Sequence, residues 1–170
     1  MDEQSNSNWS MADVSAKKTT HRVAVAGGRI RLGPEAFRLL VEGRLPKGDP
    51  LAMAEIAGIQ AAKQTPALIP LCHPISLNRV MVHSVPRPAD NSVEVFCVAE
   101  IAEKTGVEME ALTGLSVALL TIWDLTKPVN AALEITNTRL IYKSGGKSGT
   151  WVNPEGVPDE VEAILAGLKV

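Results

Sequence analysis

From His21 to Leu32 the stretch HRVAVAGGRIRL alternates in part between apolar and polar positions. That period predicts an extended segment, and Gly27-Gly28 offers a short hairpin turn within it. Gly33-Pro34 then opens a helix through about Glu42, closed by Gly43. Asp49 as N-cap and Pro50 at the first helical position open a second helix. It runs to Thr65, where Pro66 stops it. Ala54, Ala57, Gly58, Ala61 and Ala62 are small, so another backbone can approach this helix closely. Val80, Val82 and Val85 mark one strand. Val93, Val95, Cys97 and Ala99 alternate along a second, and the loop 86–91 makes the two a hairpin. The period changes at Thr105, which with Glu108 matches a capping box. The helix that follows reaches about Lys127 and is apolar on most of its circumference: Leu112, Leu115, Val117, Leu119, Leu120, Ile122, Trp123, Leu125. Such a helix is buried centrally or at a subunit contact. A last strand at about Glu134–Tyr142 precedes SGGKSG, and Val161, Ile164, Leu165 and Leu168 suggest a short amphipathic helix in the tail. This order predicts the split βαβ pattern of a ferredoxin-like α+β fold with an antiparallel sheet and packed helices. Residues 1–15 read as a flexible arm, 16–149 as a single domain, and 150–170 as a tail.

Composition narrows the class without naming a function. The 170 residues are 45% hydrophobic and 21% charged, as in ordinary globular chains, and only 4% aromatic. The core must therefore be built from Ala, Val, Ile and Leu. No apolar run approaches the length needed to span a bilayer, and the polar start MDEQSNSNWS lacks the features of a signal peptide. Cys72 and Cys97 make no disulfide framework and neither has a metal-ligand spacing. A cytoplasmic setting with no membrane partner is expected. Net charge −2 argues against a nucleic-acid binder with a broad basic face. Yet the cations gather near structured, Gly/Pro-marked segments while Glu155, Asp159, Glu160 and Glu162 crowd the tail. That distribution suits a small anionic ligand.

Four places could carry chemistry. Cys72 and His73 lie between Pro70 and Pro74 in IPLCHPISL, on backbone that the prolines stiffen. A rigidly aimed titratable group suits a small-molecule site; a packed histidine would look the same. Asp124 and Lys127, three apart, share a face of an otherwise apolar helix. Burial could tune such a lysine into a general acid or base, and the plain alternative is an ion pair closing a helix end. Glu108 has either a capping role or a ligand role. Glu110 lies 14 residues before Asp124, about 21 Å along a helix axis. If both ends serve one site, a neighbouring subunit must supply part of it. KSGGKSG at 143–149 offers open amides, hydroxyls and ammonium groups suited to phosphate, but it is not a P-loop, since Ile141 stands where that pattern needs glycine. A solvated glycine loop is the alternative. Lys47-Gly48-Asp49 and Lys17 with Arg22 are further basic turns, whereas His21 and His83 are unremarkable.

Together MADVS at 11–15, KGD at 47–49, IAGIQAAK at 56–63, IPLCHP at 69–74, KTGVEMEAL at 104–112 and KSGGKSG at 143–149 resemble the MoaC family, the cyclic pyranopterin monophosphate synthases of molybdenum cofactor biosynthesis. The resemblance runs collinearly over about 11–149. It implies a lyase acting on the 3′,8-cyclised dihydroguanosine triphosphate made from GTP, releasing pyrophosphate. It implies a hexamer, a trimer of dimers, with sites at dimer interfaces. Mg²⁺ is expected to bind through the substrate's phosphate oxygens, and the sequence alone shows no metal site. The family's functional positions fall on Lys17, Arg22, Lys47, Lys63, His73, Glu108, Glu110, Asp124, Lys127, Lys143 and Lys147, with Cys72 beside His73 in the same motif. Asp124 and Lys127 are the candidates for proton transfer, and the remaining residues for substrate binding.

Glu55, Gln64, Pro66 and Pro128 depart from the family's usual residues. Pro128 predicts an early helix end that moves Asp124 and Lys127, because its ring clashes with the carbonyl four residues back. Two other readings therefore stand beside the synthase. One is a catalytically impaired paralogue that binds the nucleotide, and the other is a ferredoxin-like regulatory module sensing a phosphorylated metabolite.

Overall fold

In the computed structural model, which describes residues 9–168, one sheet separates two apolar layers. Its strands are β1 (Thr20–Arg31), β2 (Arg79–Arg87), β3 (Ser92–Glu103), β4 (Glu134–Ser144) and β5 (Trp151–Val152), in the order β2-β3-β1-β4-β5 with every pair antiparallel. Between them lie α1 (Pro34–Val41), α2 (Pro50–Lys63), the single turn α3 (Thr65–Leu68), α4 (Glu108–Thr126) and, last, α5 (Asp159–Leu168). β1 and β2 run in the same direction with β3 inserted between them. That is the split βαβ arrangement of the expected ferredoxin-like α+β fold. Residues 1–8 of the expected arm lie outside the described residues.

Alternation along the strands sends two sets of side chains to opposite faces. Ala24, Ala26 and Ile30 of β1 and Val93, Val95, Cys97, Ala99 and Ile101 of β3 join α1, α2 and α4 in the main core. Val23, Val25, Phe96, Val98 and Ile141 face the other way and are covered by Val161, Ile164, Leu165 and Leu168 of α5. The amphipathic tail helix expected from the sequence is thus present. The two-residue strand β5 was not expected.

Four local expectations need correction. His21–Leu32 holds no hairpin: β1 runs straight through Gly27-Gly28, with register shifts against β4 between Val25 and Ala26 and between Gly27 and Arg29. The glycine there makes room instead of turning the chain, since a Cβ on Gly27 would overlap Ile141 and press on Phe96. Second, α2 ends at Lys63, and Pro66 sits in the first turn of α3 rather than acting as the stop. Third, no capping box forms at α4. Val107 is its N-cap without a side-chain bond, and Glu108 is the first helical residue rather than the third. Fourth, a 19-residue helix of mean hydropathy 1.2 does exist: by length and composition α4 could cross a bilayer. Its packing on the sheet, with Ala111, Gly114, Leu115, Ala118, Leu119 and Ile122 buried, makes it a core helix.

The small-residue stripe of α2 meets α4 as expected. A Cβ on Gly58 would lie 2.9 Å from Gly114 O, and one on Gly114 would lie 3.0 Å from Gly58 O and 2.6 Å from Cys97 Sγ. This contact fixes α4 as an unbroken rod with a group of polar side chains at each end.

Candidate functional site

At the N-terminal end of α4, the ends of β1, β3 and β4 and the loops beside them converge. Lys17, Lys18, Thr20, Arg22, Gly146, Lys147 and Ser148 line a cleft of about 590 Å³. Among the described residues Arg22 donates to backbone carbonyls only, Nε to Glu103 O at 3.0 Å and a terminal nitrogen to Lys104 O at 3.2 Å. Its charge therefore remains available to an anion. Gly145 and Gly146 have φ of 95° and 74°, which glycine adopts without strain. A Cβ on Gly146 would overlap the Arg22 guanidinium. The glycine loop is thus folded against the arginine that the sequence singled out.

Arg22 also borders a narrow gap shared with Glu108, Lys143, Gly145 and Ser148. Lys143 Nζ meets Glu108 Oε1 at 2.9 Å. A charge-assisted bond of this kind is about twice as strong as a neutral one, which accounts for the unused capping role of Glu108. Glu108 in turn borders a hollow of about 230 Å³ lined by Ala12, Cys72, His73 and Glu110. Nε2 of His73 donates to Ala12 O at 2.8 Å, so in the neutral ring Nδ1 is the free acceptor. Glu110 is only 3% exposed. Burial raises its carboxyl above the usual range, and the nearby Glu108 charge raises it further. Burial, and then Glu110, also push the Cys72 thiol up, so it is a poor thiolate.

The C-terminal end of α4 holds a second cluster. Asp124 Oδ1 meets Lys127 Nζ at 2.7 Å and Oδ2 meets Lys47 Nζ at 3.0 Å. Lys127 first, then Lys47, holds the Asp124 carboxyl below the usual range. The pair forms in spite of Pro128: α4 ends one residue short of Lys127, which keeps right-handed helical angles and donates its N–H to Trp123 O at 2.8 Å. The expected displacement therefore does not occur. Burial is not found either, since in the single chain the side chains of Asp124 and Lys127 are 50% and 52% exposed.

The candidates thus fall into two groups. Lys17, Arg22, Cys72, His73, Glu108, Glu110, Lys143 and Lys147 form a continuous surface at one end of α4; Lys47, Asp124 and Lys127 form a cluster at the other. Lys63 closes α2, is exposed, and lines none of the three hollows. The two groups are about 21 Å apart along the helix. Sequence reasoning reached Lys18 as one of the gathered cations and Ser148 as a hydroxyl of the glycine loop, but it missed Thr20 as a lining residue of the basic cleft. The closeness of Thr20 to Lys17 and Arg22 was the only signal. Ala12 acts through its carbonyl, which no side-chain pattern reports.

The model of the MoaC family matches residues 11–146. The cyclic pyranopterin monophosphate synthase of Rhodospirillum rubrum is 49% identical over 144 residues, 85% of this chain and 87% of the relative. That of Chloroflexus aurantiacus is also 49% identical over 144 residues, 85% of this chain and 88% of the relative. That of Thermomicrobium roseum is 51% identical over 141 residues, 83% and 85% of the two chains.

Proposed function

The chain belongs to the MoaC family, and from that membership we propose that it converts 3′,8-cyclised dihydroguanosine triphosphate into cyclic pyranopterin monophosphate and pyrophosphate, a lyase step of molybdenum cofactor biosynthesis. The observation that carries this reading is an identity of about half with synthases along more than four fifths of the chain. Nothing in the geometry favours an impaired paralogue or a regulatory module.

Two tasks follow from the chemistry. The purine-derived ring must be rearranged by proton transfers, which calls for an acid and a base in contact. Asp124 and Lys127 are such a pair. Closing a subunit over them would remove water and strengthen their coupling. The triphosphate must also fold back so that an oxygen of the substrate displaces pyrophosphate and a cyclic phosphate forms. Lys17, Arg22, Lys143, Lys147 and His73 lie where they could hold the phosphates and would offset the charge building on the leaving group, whereas Lys63 lines none of these hollows and rests on its family position alone. Among the described residues no group of three His, Cys, Asp or Glu side chains could hold a metal ion. Both Asp124 oxygens and Oε1 of Glu108 are engaged by lysines. Mg²⁺ would therefore be carried by the substrate's own phosphate oxygens and would neutralise part of their charge.

One ligand cannot reach both ends of α4 in a single chain, so the site is assembled from two subunits, in a dimer that is itself part of a hexamer. Exposed apolar side chains on the helices, among them Met53, Ile56 and Leu120 at 48%, 64% and 57% exposure, support such contacts. A cytoplasmic setting agrees with two unpaired cysteines. The test is to supply the purified chain with the cyclised GTP intermediate and Mg²⁺ and to follow pyrophosphate and the pterin product together. Equal release of both supports the synthase. A folded protein that forms neither overturns it.

A further inference from the structure

Pro128 follows directly on the proposed reacting pair, at a position that helix chemistry disfavours. In an uninterrupted helix the N–H of residue 128 would bond to the carbonyl of Asp124. Proline has no N–H to give. The neighbouring donors are committed elsewhere: Lys127 N–H goes to Trp123 O at 2.8 Å, and the N–H groups of Val129 and Asn130 go to Thr126 O at 2.9 and 3.3 Å. The turn is held in this form by Asn130, whose Nδ2 donates to Leu32 O at 2.8 Å and whose Oδ1 accepts from Ala132 N at 2.9 Å.

The Asp124 carbonyl is taken by a side chain instead. Lys47 Nζ lies 3.1 Å from Asp124 O and 3.0 Å from Asp124 Oδ2, so a single ammonium bridges two oxygens of one residue. An exposed lysine with only a carboxylate partner gains little and wanders. A second, rigid backbone acceptor narrows its range, and with it the rotation of the carboxylate whose other oxygen meets Lys127.

We propose that Pro128 is a positioning residue for the reaction: by withholding the N–H that would engage the Asp124 carbonyl, it leaves that oxygen to seat the Lys47 ammonium against Asp124. The inference rests on the reading of Asp124 and Lys127 as the proton-transfer pair. Pro128, which helix chemistry disfavours beside the pair, is thereby part of its support.

The experiment is a double-mutant cycle on the full chain, with Pro128→Ala, Lys47→Met, the double variant, and Lys127→Ala as a separate control. Two readouts are taken: kcat and KM on the cyclised GTP intermediate, and the rate of Lys47 acetylation by acetic anhydride relative to Lys18, read by mass spectrometry. Pro128→Ala restores the backbone donor. It is expected to raise relative Lys47 acetylation about threefold and to lower kcat about threefold with KM little changed, the scale of one exposed charge-assisted hydrogen bond. On the Lys47→Met background Pro128→Ala should cost nothing more, because the two act through one contact. Equal losses on both backgrounds, unchanged labelling, or unchanged kcat would each overturn the proposal. Full turnover in Lys127→Ala would instead remove the reacting pair, while the labelling still judges the Pro128 contact. If Pro128→Ala does not fold, Pro128→Ser supplies the same N–H for the same measurements.

Discussion

Asp124 has both carboxylate oxygens engaged, one by each lysine, and this arrangement sets its titration. Because Lys127 and Lys47 favour its charged form, Asp124 stays ionised to a pH below the ordinary carboxylate range. The acid limb of the pH–kcat profile should lie below that range, and Lys47→Met should move it upward. Lys127→Ala should lower kcat at least about 100-fold with unchanged circular dichroism, since it removes one half of the proposed acid–base pair. Glu110 has the opposite electrostatics. Its folded-state pKa is raised by burial, so ionising it is harder in the native protein than in the unfolded chain. The protonated form is fully tolerated below the unfolded pKa, and stability falls as pH rises from there through the folded pKa. Glu110→Gln keeps the shape without the charge and should stabilise the protein at pH 7 by about 1 kcal/mol in urea unfolding, with the gain vanishing at low pH. The sequence made these residues legible as candidates because each departs from its apolar or Gly-rich surroundings. It could not give their burial. Burial was one of two readings of Asp124 and Lys127, the other being an ion pair closing a helix end; they form that ion pair and lie half-exposed, because α4 buries its other face against the sheet and α2.

The behaviour of α4 as an element explains both the successes and the misses in reading the chain. Its length and apolar surface followed from periodicity, and so did the small-residue stripe on α2 that receives it. Its start did not, because a capping box is only a local preference. Lys143, 35 residues away in sequence, offered Glu108 a stronger bond. Thr105→Ala should accordingly change stability by no more than about 0.5 kcal/mol, where a true cap would cost about 1. The contact with α2 is far less tolerant. Gly114→Ala would gain about 1 kcal/mol of helix propensity but would place a methyl group 2.6 Å from Cys97 Sγ. Overpacking of this kind costs about 1–3 kcal/mol, so a net loss of about 1 kcal/mol is expected on thermal unfolding. The straight course of β1 was illegible for a related reason. A Gly-Gly pair signals a turn locally, whereas here Gly27 makes room for Ile141 and Phe96 and Gly28 for Leu119 and Thr138, which only the folded protein brings near.

At the scale of the whole molecule the separation of the two polar groups governs the account. The order of elements and the antiparallel split βαβ sheet could be read from patterning, and that sheet fixes which loops gather at which end of α4. One end collects cations, a glycine loop and a buried acid. The other carries the Lys47–Asp124–Lys127 cluster. A single chain cannot bring them to one ligand, and the proposed two-fold pair of chains would. The measurement that tests this most directly mixes two variants, His73→Ala from the first group and Asp124→Asn from the second, after subunit exchange, with pyrophosphate and pterin product as readouts. Each variant alone should be silent. Random pairing should place an intact site in half of the dimers, at one of their two equivalent sites, restoring about one quarter of the wild-type turnover. A mixture that exchanges subunits and remains silent, or a single variant that turns over at the full rate, would contradict the account.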